Sequence, residues 1–526
     1  MSGLRRSQLL SLLKKLSSTE RHFIYLVPPL LTALVIYLAY LFTHPYPGLG
    51  AGLYSVMARE ISTHGYGLPT NIPYYTAGGI PFAYPPLFLY LYAALWDVTG
   101  LGPLVLTRVV PGIFVFGCVM ATYALAYELL STRVQASVAA VAIATSPTIF
   151  RLLLTAGGIV RAPAFAVMVI GLYVGVKLFR THNRGWLLAA IGCFALLLLS
   201  HPVNAAFFAV SYLVFFVAFD RSARGLVYGA LVAVLSFVLI SPWLTTVTFR
   251  HGIDVFFQAA GSHGGLGIKP LNAVTFWYAP KIVFPSLWKL LILVGGMYLL
   301  ADRRYVLVGW FALSVLVFSR RVAMLVGVLI AVVGLFRAAR ATERMCLPFS
   351  PSLPFKPSTA FVVILCVYAA GTGSIFAANY PALDNPDSTQ MYLGEDEMDA
   401  MQWVDTETDS SASFVVVGDV AEWFPLFAER TSLVTFRGAE WIAGQSQVER
   451  KQTIIDLADC DGAACLTRVL SQKNLAPAYL YLSADEYSVD YDIRDQSTAM
   501  HASLTQSERY EIVFANEGAL VVRVVG

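Results

Sequence analysis

Acidic residues are scarce in the first 378 positions of this chain. Eight Asp and Glu stand there against 27 Lys and Arg, a net charge of +19. Charged residues make up only 13% of the 526, where a soluble domain carries roughly 25%. A soluble enzyme with a large core is thereby excluded. The chain has no Gly-Lys-Ser/Thr phosphate loop, no heptad array and no internal repeat, so nothing points to a nucleotide site or a coiled coil. It also lacks any Asn-x-Ser/Thr triplet, so it is not itself an acceptor for N-linked glycans. Nucleic-acid binding is excluded as well, because the positive charge sits between apolar runs, where membrane topology accounts for it.

What the chain has is apolar sequence. It is 57% hydrophobic, and many runs reach the ~17–25 residues that cross a ~30 Å hydrocarbon core. The fold class is a polytopic α-helical membrane protein. The basic N-terminus, 1–22, precedes the apolar run Phe23–Phe42. That run is too long for a signal-peptide core and lacks a small-residue cleavage site, so it reads as an anchor with the N-terminus in the cytoplasm. Keeping Arg and Lys clusters on the cytoplasmic side gives eleven spans. They fall near 23–43, 106–130, 134–152, 163–179, 186–200, 203–219, 225–241, 285–301, 305–319, 322–336 and 359–378. The count works only if 82–98 does not cross alone and lies as a re-entrant or interfacial helix on the outer side. The transmembrane domain is then 23–378, with a first outer loop at 44–105 and a long outer loop at 242–283.

Residues 379–526 reverse the charge, with 25 Asp and Glu against 9 Lys and Arg. They read as an extracytoplasmic α/β domain. The helix EDEMDAMQWVDTE precedes strands at 413–419, 431–436, 479–483 and 510–525, the last split into a hairpin at Asn516-Glu517-Gly518. Trp403, Trp423 and Trp441 read as core or interface anchors. Cys460 and Cys465 are the only two of six cysteines placed outside. With four residues between them in an oxidising compartment, they favour a disulfide, with two reduced thiols as the alternative.

Several short stretches carry a family likeness. They are a first span followed by a long outer loop, Tyr84-Pro85-Pro86-Leu87 opening a short helix, and Thr107-Arg108 opening the next span. LYSVMAREISTHGYGLP (53–69), SPTIFRLLLTAGGIVRAPAF (146–165), LLLLSHPVNAAFF (196–208) and Trp423-Phe424-Pro425 with Arg430 add to it. Together they resemble the GT-C superfamily of integral-membrane glycosyltransferases, in an archaeal and bacterial branch. Some members of that branch carry the label 6-pyruvoyl-tetrahydropterin-synthase-related membrane protein. The resemblance spans essentially the whole chain. It implies a polyprenyl- or dolichyl-phosphate-linked sugar as donor and a glycan, lipid or protein acceptor on the outer face. It also implies a loop carboxylate acting as general base or metal ligand.

The chain departs from that pattern where the family places its acids. Before Tyr54 the loop reads HPYPGLGAG, and the second outer loop reads AGGIVR (156–161), with no acid in either. The outward acids of the membrane half are Glu60, Asp97 and Asp254. Glu60 and Asp254 are candidate bases, the alternatives being charge pairs with Arg59 and Arg250, and Asp97 reads as capping the YPPL helix. His201, between a leucine run and Pro202, is a third candidate base or a structural bond to backbone that the proline frees. Phosphate recognition falls to Arg161 and to the pair Arg320 and Arg321, since guanidinium meets phosphate in a bidentate fork. Tyr54, Tyr84 and His263 complete the substrate-binding candidates. His263 sits in the Gly-rich GSHGGLGIKP, either a lid or a bland loop. No histidine spacing matches a metal motif. A divalent ion is admitted by the resemblance and by nothing else, and no other cofactor is implied. The alternative function is a protein of the same fold that binds lipid-linked glycans without turning them over.

Overall fold

The computed structural model describes residues 17–525 apart from 49, 131, 155–156, 263–269, 278–282, 319, 347–356, 381–392, 436, 443–446, 485–486, 490–491 and 495–497. His263 lies outside the described residues, as do the side chains of Arg320 and Arg321.

The first helix, Ser18–Thr43, opens on a reciprocal cap. Ser17 Oγ accepts from Glu20 N at 3.2 Å, and Glu20 Oε2 accepts from Ser17 N at 2.6 Å. Among the described residues, seven helices can cross a membrane by length and composition: Ser18–Thr43, Pro103–Leu130, Gly158–Thr181, Pro202–Phe219, Ala223–His251, Val322–Ala341 and Ser358–Ala378. An eighth candidate is broken. The expected single span at 134–152 is two helices, Arg133–Ala144 and Pro147–Leu153, bent by 61°. Ser146 takes extended backbone (φ −75°, ψ 115°) because the ring of Pro147 clashes with a helical predecessor. The chain is a multi-pass membrane protein.

Four shorter apolar helices complete the set: Leu87–Thr99, Arg184–Leu198, Trp288–Ala301 and Tyr305–Val317. The first of them packs along the first loop. Its 13 residues span only about 20 Å. Near its middle Tyr92 OH meets Ser55 Oγ at 2.8 Å, and near its end Asp97 Oδ2 accepts from Ser62 Oγ and Tyr66 OH, both at 2.7 Å. Both contacts are to the first-loop helix Gly52–Thr63 and the turn after it, so the short helix runs along the same side as that loop. Gly100, in the left-handed region at φ 67°, ends it.

The helix expected to stop at 241 continues to His251. Pro242 has no N–H for the Val238 carbonyl, and Ser241 Oγ donates to that carbonyl instead at 2.8 Å. The expected outer loop at 242–283 therefore begins as helix. It also contains Asp254–Ser262 and Pro270–Trp277.

Inside the first loop, β1 (Asn71–Ile72) and β2 (Ile80–Pro81) form a small antiparallel hairpin. The C-terminal region is built on β3 (Ser413–Val417), β4 (Thr431–Ser432), β5 (Tyr479–Ser483), β6 (Tyr487–Val489), β7 (Asp492–Arg494), β8 (Tyr510–Ala515) and β9 (Ala519–Val524). Five of these make one sheet in the order β4-β3-β5-β9-β8, while β6 and β7 pair separately. β3 runs parallel to β4 and β5, and β9 runs antiparallel to β5 and β8. The β8–β9 turn is held by Asn516 Oδ1, which accepts from Gly518 N at 3.1 Å and Ala519 N at 2.8 Å.

Strand alternation decides where the sheet's two faces go. Val415, Val417, Leu480, Leu482, Leu520 and Val522 pack on the helices Gln447–Ala458 and Ala463–Gln472. Phe414, Val416, Tyr481 and Val521 share a core with Leu53, Val56, Met57, Ile72 and Ile80 of the first loop. Both faces are covered, which is why SFVVV is an unbroken apolar run.

That shared core constrains the topology. The first loop and the C-terminal domain lie on one side, so the chain between them crosses an even number of times. Among the described residues, six long candidate spans, the broken pair and three shorter apolar helices lie between them. Cys460 and Cys465 form a disulfide, with Cα atoms 5.4 Å apart.

Candidate active site at the junction of the first loop and the C-terminal domain

Gly52 begins the first-loop helix because nothing larger fits. A Cβ there would stand 2.2 Å from the Glu422 carbonyl oxygen. The C-terminal domain is clamped onto the loop around this point. Tyr75 OH donates to Glu422 O at 2.6 Å, and Ser432 N donates to Tyr74 O at 2.8 Å. Arg59 reaches Glu429 at 2.6 Å. Glu422 is itself 5% exposed, with Arg437 Nε 3.5 Å from its Oε2. Burial holds the Tyr75 hydroxyl well above its ordinary pKa, with the Glu422 charge adding to it.

One turn further, Tyr54 faces Tyr84. Their rings are 5.3 Å apart, and Tyr54 OH donates to Tyr84 OH at 3.4 Å. Gly157, at φ 78°, lets the second outer loop approach this pair. A Cβ there would lie 2.4 Å from Gly50 O and 2.8 Å from the Tyr54 ring. The helix Gly158–Thr181 starts at that glycine and carries Arg161 in its first turn. From the other side the Trp441 ring meets Tyr84 edge-on at 6.1 Å. Tyr84 is pushed well above its ordinary pKa chiefly by burial. The neighbouring Tyr54 and the charge of Glu440 raise it further, while Arg161 opposes them. Two phenols thus meet where the first loop, the Gly157 turn and the C-terminal domain come together, and the charges of Arg161 and Glu440 act on Tyr84 from the adjoining elements.

The sequence candidates are distributed unevenly around this point. Tyr54, Tyr84 and Arg161 come together. His201 caps Pro202–Phe219, two residues beyond Leu199, whose carbonyl accepts from Leu87 N at 2.9 Å. It therefore lies at the entry of the YPPL helix. Glu60 sits near the other end of the first-loop helix. Its Oε2 is 3.7 Å from His64 Nδ1. Burial raises its pKa, with Arg59 and His64 pulling the other way. Asp254 is exposed in the first turn of Asp254–Ser262, and Arg250 donates instead to Leu68 O at 2.7 Å and Pro69 O at 3.2 Å. Arg320 and Arg321 begin the helix Arg320–Cys346. Among the described residues no group of three or more His, Cys, Asp or Glu is placed to hold a metal ion.

Glu440 was not legible as a site residue. It belongs to a domain rich in acids, and no spacing marks it. Only the docking of the domain brings it near Tyr84.

No protein-family model matches the chain, and no curated protein matches it. Solved structures do. The oligosaccharyltransferase AglB of Archaeoglobus fulgidus, in complex with an inhibitory peptide and a dolichol-phosphate, superposes with a TM-score of 0.54 at 12% identity, over 89% of this chain and 70% of that one. ArnT from Cupriavidus metallidurans, bound to undecaprenyl phosphate, gives 0.52 at 14% identity over 96% and 98%. The mycobacterial arabinofuranosyltransferase AftD gives 0.54 at 14% identity over 97% of this chain and 40% of its own. These similarities show a GT-C-type membrane fold.

Proposed function

We propose that this chain, with its GT-C-type fold, is a membrane glycosyltransferase that moves a sugar from a polyprenyl- or dolichyl-phosphate carrier to an extracytoplasmic glycan, lipid or protein acceptor. The observation that carries the reading is the convergence of Arg161, Tyr54 and Tyr84 at the outer junction, on a fold shared with proteins solved with dolichol-phosphate and undecaprenyl phosphate. In this reading Arg161 receives the carrier phosphate, with Arg320 and Arg321 as further cations, and the two tyrosines flank the sugar. The N-terminus is cytoplasmic and the C-terminal domain extracytoplasmic, as the basic cytoplasmic loops support.

The hydroxyl of the acceptor needs a base within hydrogen-bond reach. Glu60, with its raised pKa, is the first-loop candidate, and Asp254 and His201 are the others. The second reading, binding of a lipid-linked glycan without turnover, is favoured by one specific observation. The loop stretch facing Gly157, 44–54, holds no acid.

The test is binding and turnover of polyprenyl-phosphate sugars by purified protein, wild type against Glu60→Gln, across a divalent-metal titration. Turnover by the wild type supports the transferase. Binding without turnover in either form supports the second reading and removes the first for the donors used.

A further inference from the structure

We infer that Glu440, delivered by the C-terminal domain, is the general base that takes the proton of the acceptor hydroxyl. This rests on the transferase reading above and names a residue for it. Five acids of the membrane half have partners away from the Tyr54–Tyr84 pair, and Asp254 is exposed on its helix. Glu128 binds Lys177 and Arg180, Asp220 binds His182, and Asp302 binds Arg337. Asp97 accepts from Ser62 and Tyr66, and Glu60 faces His64. The C-terminal domain, in contrast, holds 25 acids and presses one turn into the junction.

That turn is Ala439–Trp441, and its seat is fixed by Gly438. At φ 75° the glycine adopts a conformation other residues avoid, and a Cβ would stand 2.8 Å from Ile80 Cδ1 and 3.3 Å from Leu53 Cδ2. The turn therefore rests directly on the first-loop helix and on β2. Trp441 meets Tyr84 from it, and the half-buried Glu440 precedes that tryptophan, with Gln447 Nε2 3.5 Å from its Oε2. The helix Asp254–Ser262 packs over the same turn, so the turn that carries Glu440 is held between that helix and the first loop, with Trp441 against Tyr84.

The step balances without a further reactant. The acceptor oxygen attacks the anomeric carbon and a new glycosidic C–O bond forms. The bond from that carbon to the carrier phosphate oxygen breaks, and its electron pair leaves with the polyprenyl phosphate. The acceptor proton passes to Glu440. Arg161 faces the charge that builds on the departing phosphate.

The experiment uses the full-length protein in detergent or nanodiscs with polyprenyl-phosphate monosaccharides. Donor affinity, single-turnover rate, pH–rate profile and melting temperature are read for wild type, Glu440→Gln, Glu440→Asp and Glu60→Gln. The expected result is Glu440→Gln with donor binding kept and turnover lowered roughly 10²–10⁴-fold. Its residual rate should lack the ascending acid limb that the wild type shows, and Glu440→Asp should keep that limb at a reduced rate. Turnover in Glu440→Gln within a few-fold of wild type overturns the inference and leaves the transferase standing. So does loss of the limb in Glu60→Gln alone. If Glu440→Gln does not fold, Glu440→Asp decides, and a wild-type rate there overturns the assignment. A wild type that binds donor and never turns it over removes the transferase reading and this one together.

Discussion

Arg430 shows how much a single side chain does in the C-terminal domain. It is 5% exposed, and its guanidinium donates from Nη2 to Asp405 O and Thr408 O, both at 2.7 Å, and from Nε to Thr408 Oγ1 at 3.1 Å. These are the carbonyls that the helix Glu395–Glu407 leaves open at its end. The arginine that follows Trp-Phe-Pro is thus a structural clamp. Arg430→Ala should cost about 3 kcal/mol, because buried acceptors lose their donors. Arg430→Lys should recover only part, since one ammonium does not reproduce a planar fork. Chemical denaturation with unchanged m-value is the check. Glu60 sets a pH dependence of opposite cause. Burial raises its carboxyl above 4.5, so the folded state holds the proton more tightly than the unfolded one. Stability then falls as pH rises from the unfolded value through the raised folded value. Glu60→Gln should flatten that part of the stability–pH curve, and a wild-type slope retained in the variant would contradict the assignment.

At the scale of elements, the docking of first loop on C-terminal domain depends on close backbone approach. Gly52→Ala places a methyl against the Glu422 carbonyl, and neither backbone has room to retreat. It should weaken the docking, seen as faster proteolysis of the first loop and a lowered melting temperature, with the membrane helices intact. The Cys460–Cys465 bridge closes a loop of about six residues, so replacing both by serine should cost about 2 kcal/mol in the loop-entropy account. Elements were legible where local pattern sufficed. EDEMDAMQWVDTE is the helix Glu395–Glu407, and the hairpin at Asn516-Glu517-Gly518 joins β8 to β9. They were less legible at prolines. Ser146-Pro147 breaks a span, with Ser146 in the extended backbone that the proline ring imposes. Ser241-Pro242 does not break one, because the serine hydroxyl takes up the carbonyl that the proline leaves. The same dipeptide has two outcomes, and what separates them is a local side-chain bond that the dipeptide alone does not announce.

Across the whole molecule, the charge split is the feature that sequence and structure share. A basic membrane half and an acidic C-terminal region are visible in composition. The helix lies along the first loop as expected, and its neighbours Tyr54, Tyr84 and Arg161 converge. The sequence hid where the acid would come from. Glu440 stands 356 residues from Tyr84, and only the seating of the domain on the loop joins them. The fold is therefore read from local apolar pattern, while the site is a product of long-range packing. The central claim is that this junction transfers a sugar. The most direct measurement is to reconstitute the purified chain in liposomes with polyprenyl-phosphate sugars labelled in the sugar, supply outer-face acceptors, and follow the label. The account predicts label leaving the lipid and appearing on acceptor, with the rate sharply lowered by Arg161→Ala. Label that remains on a bound lipid, for every donor and acceptor supplied, would contradict it.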